Sequence, residues 1–166
     1  MLNLRPATRE DVPLLLQLIR DLATYEREPE AVVATEASLL RDGFGPEPRY
    51  RAIVAEWDSV PAGFALWFFN YSTWLGKPGL YLEDLFVRPA LRGKGIGKAL
   101  LCELAAVAVR EGCGRFQWQV LDWNEPSIRF YEELGAKTMK EWSTMRVEGE
   151  RALRAMAARG GRPIDR

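Results

Sequence analysis

The sequence contains no histidine in its 166 residues, and it has only two cysteines. The lack of histidine excludes Ser-His-Asp and Cys-His catalysis, HExxH metal sites and every His-ligated zinc. Cys102 and Cys113 fit neither CxxC nor any common metal-ligand spacing. We therefore expect no metal site, and we expect both thiols to be reduced and at least half-buried.

The chain also lacks net charge and long apolar runs. Lys plus Arg and Asp plus Glu each number 23, which gives no support to nucleic acid as the main partner. No apolar run approaches the ~20 residues that span a bilayer. The start of the chain, Met1 to Pro6, lacks the basic-then-apolar pattern of a signal peptide. We expect a cytoplasmic protein that binds neither nucleic acid nor a membrane.

The residues that are present have the composition of one folded domain, with 48% hydrophobic and 28% charged residues. The apolar periodicity changes repeatedly between that of strands and that of helices, which predicts a mixed α/β (α+β) fold. Strands are predicted near residues 2–6, 50–57, 63–71, 80–87, 115–121, 137–141 and 143–147. Helices are predicted after a capping box at Thr8 and Asp11, near 36–42, from about 96 to 111, and between Asn124 and Gly135.

A basic, glycine-rich loop between a predicted strand and a predicted helix carries the clearest chemical signal. It reads Arg92-Gly93-Lys94-Gly95-Ile96-Gly97-Lys98. Amide groups at a helix N-terminus and the helix dipole attract anions, and the basic side chains add positive charge. The spacing matches neither the GxxxxGK[ST] of a Walker A loop nor the GxGxxG dinucleotide fingerprint. We expect the loop to bind a diphosphate, the alternative being a turn that only reverses the chain.

The loop fits the pattern Arg-x-x-Gly-x-Gly, which resembles the segment that holds the pyrophosphate of acetyl-CoA in the GNAT superfamily of N-acetyltransferases. A second segment, Asp122 to Ala136, resembles the Asn…Phe-Tyr region of that superfamily, with Gly-Ala in place of the common Gly-Phe. Shorter motifs resemble the diamine (spermidine/spermine) and thialysine N-acetyltransferases within it. They are Leu22-Ala-x-Tyr-Glu26, Asp42-Gly-Phe-Gly45, Tyr81-Leu-Glu-Asp84 and Trp123-Asn-Glu-Pro126.

The resemblance runs over residues 3–147 and implies a fold and a co-substrate. The fold is a single mixed, mostly antiparallel sheet of seven strands, splayed in the middle, with helices on both faces. Residues 1–147 would form this domain, and residues 148–166 an Arg-rich tail that is either helical or frayed. The co-substrate is acetyl-CoA, without a metal. Its binding residues would be Phe86, Val87, Arg92, Gly93, Lys94, Gly95, Ile96, Gly97, Lys98, Asn124, Ser127 and Tyr131.

Acetyl transfer to an amine requires that a proton leave the amine, whose pKa is near 10.4, and that a proton reach the thiol. The resemblance implies that Tyr131 is the general acid beside the cofactor sulfur; the alternative is a core tyrosine next to Phe130. We favour Glu83 as a base acting through water or as an acceptor-site carboxylate, with a purely structural carboxylate as the alternative. Backbone amides of Phe86 and Val87 are expected to polarise the carbonyl.

The remaining candidates concern the acceptor. Glu83 and Asp84 occupy adjacent strand positions, so we expect their side chains to point to opposite faces, one of them toward the acceptor. By resemblance Glu26 binds the substrate amine, although a solvent-facing residue at a helix end has the same pattern. Trp74 and Trp123 would pack against the alkyl chain of the substrate, unless they belong to the core.

One position departs from the polyamine enzymes, in which an acidic residue precedes the loop tryptophan. Here the loop reads Tyr71-Ser72-Thr73-Trp74, and this version, like Val120-Leu-Asp-Trp-Asn124, looks more like the thialysine N-ε-acetyltransferases. Loss of one carboxylate weakens binding of a second ammonium group. The departure therefore disfavours a polyamine as the substrate.

We expect an N-acetyltransferase that moves the acetyl group of acetyl-CoA to a primary amine of a small cationic molecule, by direct transfer in a ternary complex. The acceptor would be a diamine, a polyamine or a thialysine-like amino acid. Two alternatives stay open: a protein-lysine acetyltransferase, and a regulatory module that binds acetyl-CoA without turnover. The resemblance also implies a homodimer, with the strand near 143–147 in its interface.

Overall fold

Five strands and five helices of more than one turn are formed within residues 1–160, the part of the chain that the computed structural model describes. Residues Met1–Gln119 form one unit, and the described residues from Val120 onward form another. The first contains β1 (Leu2–Pro6), α1 (Val12–Tyr25), α2 (Glu36–Phe44), β2 (Arg51–Trp57), β3 (Val60–Ser72), β4 (Lys77–Val87), α3 (Ile96–Arg110) and β5 (Arg115–Gln117). The second contains α4 (Glu125–Glu133) and α5 (Glu150–Ala157).

The strands form one mixed sheet in the order β1-β2-β3-β4-β5. Neighbouring strands are antiparallel from β1 to β4, whereas β5 runs parallel to β4. This last pairing is short, because β5 is only three residues long and pairs with Gly79 to Tyr81 of β4. The rest of β4 has β3 on one side and no strand on the other within the described residues, which leaves an open edge next to the glycine-rich loop.

Apolar side chains on both faces of the sheet are buried, because α1 covers one face and α3 the other. The α1 face holds a core cluster of Leu15, Leu18, Leu22, Ala52, Val54, Phe64, Leu66 and Phe86. Strand positions that alternate with these are buried too, namely Ile53, Ala55, Ala65 and Trp67, and α3 contacts β2, β3 and β4. Since alternate residues of a strand face opposite sides, both faces are covered. The predicted mixed sheet with helices on both faces is confirmed.

The start of α1 is fixed by the predicted capping box and by an ion pair. The backbone N–H of Thr8 donates to a carboxylate oxygen of Asp11 at 2.8 Å, and the N–H of Asp11 donates to the Thr8 carbonyl at 3.1 Å. Arg5 on β1 donates twice to the same carboxylate, at 2.7 and 2.8 Å. These contacts tie the first helix to the first strand of the sheet.

The prediction of seven strands is wrong in number, since five are formed in residues 1–160. The predicted strand 115–121 is three residues long, and 137–141 and 143–147 form no strand. A segment with strand-like alternation becomes a strand only when its N–H and C=O groups pair with a neighbour. Residues 137–148 have no such ladder and are exposed. The predicted tail, residues 148–166, contains the helix α5 up to Ala157, and its last residues, 161–166, lie outside the described part.

The expectation of buried thiols is wrong for one cysteine. Cys102 is exposed on α3, and Cys113 is half-buried. Cys102 lies on the side of α3 away from the sheet, because Leu100, Leu101 and Leu104 take the buried positions. Among the described residues, no helix is both long and apolar enough to cross a membrane.

Candidate active site

The glycine-rich loop connects the end of β4 to the start of α3. Gly93 and Gly95 have φ angles of +76° and +78°, in the left-handed region that favours glycine. A Cβ atom at either position would meet no atom within 4 Å. The glycines are therefore required by the backbone conformation of the loop, and the space in front of them is open to a ligand.

The loop presents unpaired amide groups and basic side chains to that space. The first hydrogen bond of α3 runs from the N–H of Ala99 to the carbonyl of Gly95 at 2.9 Å. The N–H groups that precede Ala99 in the first turn consequently have no acceptor within the helix, as at every helix N-terminus. Lys94 and Lys98 are exposed beside them. This combination suits a diphosphate, so the residues present fit the pyrophosphate of acetyl-CoA.

Arg92 attaches the loop to the sheet and to the end of α1. Its Nε donates to the carbonyl oxygen of Val87 at 3.0 Å. Its guanidinium carbon lies 4.4 Å from the ring centre of Tyr25 and 5.7 Å from that of Phe86. The loop, the end of β4 and the C-terminus of α1 thus meet at one place. Tyr25, for which the sequence suggested no role, is part of this junction.

A β-bulge in β4 lies next to the junction. The pairing runs Leu66–Asp84 and then Trp67–Leu82, so Glu83 has no partner on β3. A bulge adds one residue to one strand and turns the side chains on either side of it. The sequence does not predict this bulge, because Tyr81-Leu-Glu-Asp84 has the pattern of an ordinary alternating strand.

Three candidate carboxylates, Glu26, Glu83 and Asp84, lie together at this point. Asp84 is half-buried and Glu83 is exposed. Burial, together with the negative charges of Glu83 and Glu26, raises the pKa of Asp84 from 3.8 to about 7. Burial also raises the pKa of Glu26, the residue that directly follows α1. Because the charges of Glu83 and Glu26 both act on the pKa of Asp84, the three carboxylates are close to one another. They form a negatively charged cluster beside the glycine-rich loop.

The ladder between β3 and β4 decides which backbone amides face the open edge. The N–H of Arg88 donates to the carbonyl of Ala62 at 2.8 Å. Because hydrogen-bonded pairs alternate along antiparallel strands, the N–H of Phe86 also points to β3. The N–H groups of Leu85 and Val87 point the other way, to the edge that β5 does not cover. Of the two predicted donors, only Val87 has its N–H directed toward that open edge.

The position that departs from the polyamine enzymes, Ser72, is the last residue of β3, before the turn to β4. Ser72 is buried, and its hydroxyl accepts a hydrogen bond from the N–H of Leu75 at 3.3 Å. The serine thus fixes the turn. Trp74, two residues later, is 88% exposed, so its side chain belongs to the surface of the first unit and not to its core.

The other candidates belong to the second unit. Asn124 is buried and precedes α4, where its carbonyl accepts from the N–H of Ile128 at 3.0 Å. Ser127 and Tyr131 lie on α4 and are half-buried, and the Tyr131 ring lies 5.4 Å from that of Phe130. Trp123 is exposed. The roles of these residues stay predictions from the resemblance. Among the described residues, no group of His, Cys, Asp and Glu is placed to hold a metal ion.

Comparison with known proteins places the chain in a family. Residues 14–136 match the family model described as "Acetyltransferase (GNAT) family". The chain belongs to the GNAT family. A thialysine N-epsilon-acetyltransferase of Bos taurus is 40% identical to it over 167 residues, which cover 94% of this chain and 97% of the relative. An L-ornithine N5-acetyltransferase of Arabidopsis thaliana is 34% identical, with 93% and 87% covered.

A solved structure also has the GNAT fold of this chain. An integron cassette protein from the mobile metagenome of V. cholerae superposes with a TM-score of 0.78 at 26% identity, covering 94% of this chain and 97% of that one. The predicted family, fold class and acetyltransferase activity are confirmed by these matches. As a GNAT protein the chain uses acetyl-CoA, which agrees with the geometry of the glycine-rich loop.

Proposed function

We propose that this GNAT protein transfers the acetyl group of acetyl-CoA to the terminal primary amine of a small cationic amino acid of the thialysine type. The observation that carries the proposal is the cluster of Glu26, Glu83 and Asp84 beside the glycine-rich loop. A negative cluster attracts an ammonium group, and the loop next to it suits a diphosphate. Donor and acceptor would thereby meet at the open edge of β4.

On the donor side, the pyrophosphate of acetyl-CoA would lie against Gly93 to Lys98 and receive hydrogen bonds from the first turn of α3. Lys94 and Lys98 would neutralise its charge, and Arg92 would hold the loop in place through Val87 and Tyr25. By resemblance, Asn124, Ser127 and Tyr131 also bind acetyl-CoA. Acetyl-CoA supplies the chemistry of an activated acetyl group on a thioester.

On the acceptor side, Glu26, Glu83 and Asp84 would bind and orient the ammonium group, and Trp74 and Trp123 would pack against the methylene chain. An amino acid is favoured over a polyamine for two reasons. First, Ser72 occupies the position at which the polyamine enzymes have an acidic residue, and its hydroxyl accepts a hydrogen bond from the N–H of Leu75 in the turn. Second, relatives at 34–40% identity are named for thialysine and ornithine, two amino acids with a side-chain amine.

For the reaction itself, the N–H of Val87 would donate to the acetyl carbonyl oxygen as negative charge develops there. A donor fixed in a strand needs no reorganisation at that moment, which is the source of its catalytic effect. The phenol of Tyr131 would give its proton to the leaving sulfur. No thiol of the enzyme takes part, because histidine, the usual partner of a nucleophilic cysteine, is absent from the sequence.

We also propose that the protein is a cytoplasmic homodimer whose interface includes residues 143–147. The segment before α5 exposes several large apolar side chains, a surface that an interface would remove from water. They are Met139, Trp142, Met145 and Val147. Light scattering coupled to size exclusion gives the molar mass directly: twice the chain mass supports the proposal, and the mass of one chain contradicts it.

The activity is tested by thiol release from acetyl-CoA with single acceptors at saturating concentration. The acceptors are thialysine, ornithine, lysine, putrescine, spermidine and a lysine peptide. The matched control is S-ethylcysteine, which has the α-amine of thialysine but lacks its side-chain amine. We expect release with thialysine and none with S-ethylcysteine. Release with the peptide alone would make the protein a protein-lysine acetyltransferase, and acetyl-CoA binding without any release would make it a regulatory module.

A further inference from the structure

Two of the three basic residues in the glycine-rich loop lie against aromatic rings. Arg92 lies over Tyr25, at the end of α1. The Nζ atom of Lys94 lies 5.0 Å from the ring centre of Trp57, at the end of β2. Lys98 is exposed and has no ring contact within the part of the chain that the structure describes. The loop is thus held on two sides by different elements, and the contact of Lys94 is separate from the junction around Arg92.

Trp57 is the fixed partner in this contact. It is the last residue of β2 and pairs with Leu2 of β1 on one side and with Val60 of β3 on the other. The next residue, Asp58, donates its backbone N–H to the carbonyl of Met1 at 3.0 Å. Because the backbone is paired on both sides and the ring is half-buried, Trp57 has little freedom to move.

The sheet topology places this ring at the same end as the diphosphate site. β2 and β4 both run antiparallel to β3, so their last residues, Trp57 and Val87, lie at the same end of the sheet. The glycine-rich loop leaves β4 at that end, and α3 begins after it. An ammonium group over Trp57 therefore stays at the end of the sheet where the first N–H groups of α3 are unpaired.

Lys94 is the mobile partner. Gly93 and Gly95 on either side of it have no side chains that could restrain it, and Lys94 itself is exposed. A lysine side chain has many rotamers, and this freedom is lost when its ammonium group has to stay near one anion. The face of a tryptophan ring attracts an ammonium group. The ring consequently restrains the Lys94 ammonium group before any ligand binds.

We propose that Trp57 is a positioning residue for acetyl-CoA, which acts through Lys94 by holding its ammonium group at the diphosphate site. The inference rests on the donor side of the proposed function, in which Gly93 to Lys98 bind the diphosphate, and it adds a residue from another strand. A charged side chain that is restrained before binding loses less entropy on binding, which raises the affinity. Trp57 produces this effect without touching the ligand.

The test is a double-mutant cycle on acetyl-CoA binding, measured by calorimetry on the full chain with no acceptor present. Trp57→Leu should weaken binding by about two- to fivefold, the size of a cation–aromatic contact at an exposed site. Trp57→Phe should recover part of the loss, because a phenylalanine ring attracts a cation less strongly than an indole. In the Lys94→Met background, Trp57→Leu should have no further effect. In the Lys98→Met background it should have its full effect, so that the two losses multiply.

Val60→Ala is the control for the hairpin. It shortens the exposed side chain across from Trp57 and keeps the ring, so binding should be unchanged. In steady-state kinetics with thialysine, Trp57→Leu should raise KM for acetyl-CoA by the same factor as Kd and leave kcat unchanged. Lys94→Met does not depend on the folding of the Trp57 variants, since Lys94 is exposed, and it should weaken binding at least as much as Trp57→Leu.

A loss from Trp57→Leu that persists in the Lys94→Met background would overturn the inference, because the ring would then act independently of the lysine. Unchanged binding by Lys94→Met, or tighter binding by Trp57→Leu, would overturn it too, and the latter would mean that the ring draws Lys94 away from the ligand. Failure of the wild type to bind acetyl-CoA would remove the donor side of the proposed function and this inference together. Binding without acetylation of any amine would contradict only the proposed acceptor and leave the role of Trp57 in place.

Discussion

The phenol of Tyr131 is the proposed source of the proton that the leaving thiol gains. Tyr131→Phe removes that proton and keeps the ring and its contact with Phe130. We expect kcat to fall by about a hundredfold, with a Kd for acetyl-CoA within about twofold of wild type. Steady-state kinetics and calorimetry measure the two effects separately.

Tyr50→Phe is the matched control for this substitution. The Tyr50 hydroxyl donates to the Leu39 carbonyl at 2.7 Å in the first unit, outside the proposed site. It should lower the stability by about 1 kcal/mol and leave kcat unchanged. If Tyr131→Phe behaved like Tyr50→Phe, the phenol would have no part in proton transfer.

The charge of Asp11 contributes to stability through its ion pair with Arg5. The hydrogen bonds from Arg5 hold its pKa at about 2, below the usual 3.8, and the carboxylate is 11% exposed. A depressed pKa stabilises the fold above the unfolded-state pKa, and this stability is lost as pH falls from about 4 toward 2. Asp11→Asn should therefore cost about 2 kcal/mol at pH 7.

Urea unfolding at pH 7, 4 and 3 measures this effect. The difference between wild type and Asp11→Asn should be largest at pH 7 and should shrink at pH 3, because protonation then removes the same charge from the wild type. Glu47→Gln, in the exposed loop before β2, should have no effect at any pH. A difference that stayed constant with pH would mean that Asp11 acts through packing and not through its charge.

At the level of elements, the close approach of β3 and β4 positions the edge that carries the proposed donor. A Cβ on Gly63 would collide with the carbonyl oxygen of Phe86, which is backbone and cannot move aside. Gly63→Ala should push the two strands apart at this point and destabilise the protein by about 2 kcal/mol. It should also lower kcat, because the N–H of Val87 would shift.

Gly79→Ala, in the same strand pair, is the matched control. A Cβ there would meet the side chains of Asn70 and Arg115, which can move aside at the cost of their 3.4 Å hydrogen bond, whereas a backbone carbonyl cannot. Thermal unfolding should therefore show a smaller loss for Gly79→Ala than for Gly63→Ala. Equal losses of stability would mean that both substitutions act through a property common to glycines in strands. The contact between residue 63 and the Phe86 carbonyl oxygen would then not be the cause.

The glycine-rich loop gives a second prediction at this level. Gly95→Glu places a side chain and a negative charge in the open space where a diphosphate would bind, and should abolish acetyl-CoA binding in calorimetry. Gly112, the site of the control substitution Gly112→Glu, has a similar positive φ and equally open surroundings near the other end of α3. The control variant should carry a similar backbone strain of about 1 kcal/mol and bind acetyl-CoA normally. Retained binding by Gly95→Glu would place the cofactor elsewhere.

Elements with a local cause could be predicted from the sequence. The capping box at Thr8 and Asp11, the helix from Ile96 and the loop before it depend on residues within a few positions of one another, and all three are confirmed. The bulge at Glu83 depends on how β4 pairs with β3, which no local pattern reports. The predictions of strands at 137–141 and 143–147 were wrong for a related reason. An alternating sequence segment does not indicate whether a partner strand lies beside it.

The candidate site shows the same division. Short sequence motifs are sufficient to indicate the glycine-rich loop and the residues Glu26, Glu83 and Asp84. The high pKa of Asp84 could not be predicted, because it arises from burial and from the approach of Glu26 at the end of another element. The role of Tyr25 under Arg92 was missed for that reason as well.

For the whole molecule, family membership and the acceptor are separate questions. The GNAT match covers residues 14–136 and accounts for the fold and for acetyl-CoA. The acceptor depends on few side chains, and the proposal for it rests on the three carboxylates Glu26, Glu83 and Asp84 and on Ser72, where the resemblance to the polyamine enzymes would imply an acid. The central claim about this protein is therefore that its acceptor is an amino acid and not a polyamine.

The most direct test is a competition in one reaction. Limiting acetyl-CoA is offered to equal concentrations of thialysine, ornithine, spermidine and putrescine, and the acetylated products are quantified by mass spectrometry, so that their ratios equal the ratios of kcat/KM. The account predicts that N-acetylated thialysine or ornithine dominates over both polyamine products by about tenfold or more. A majority of acetylated spermidine or putrescine would contradict it.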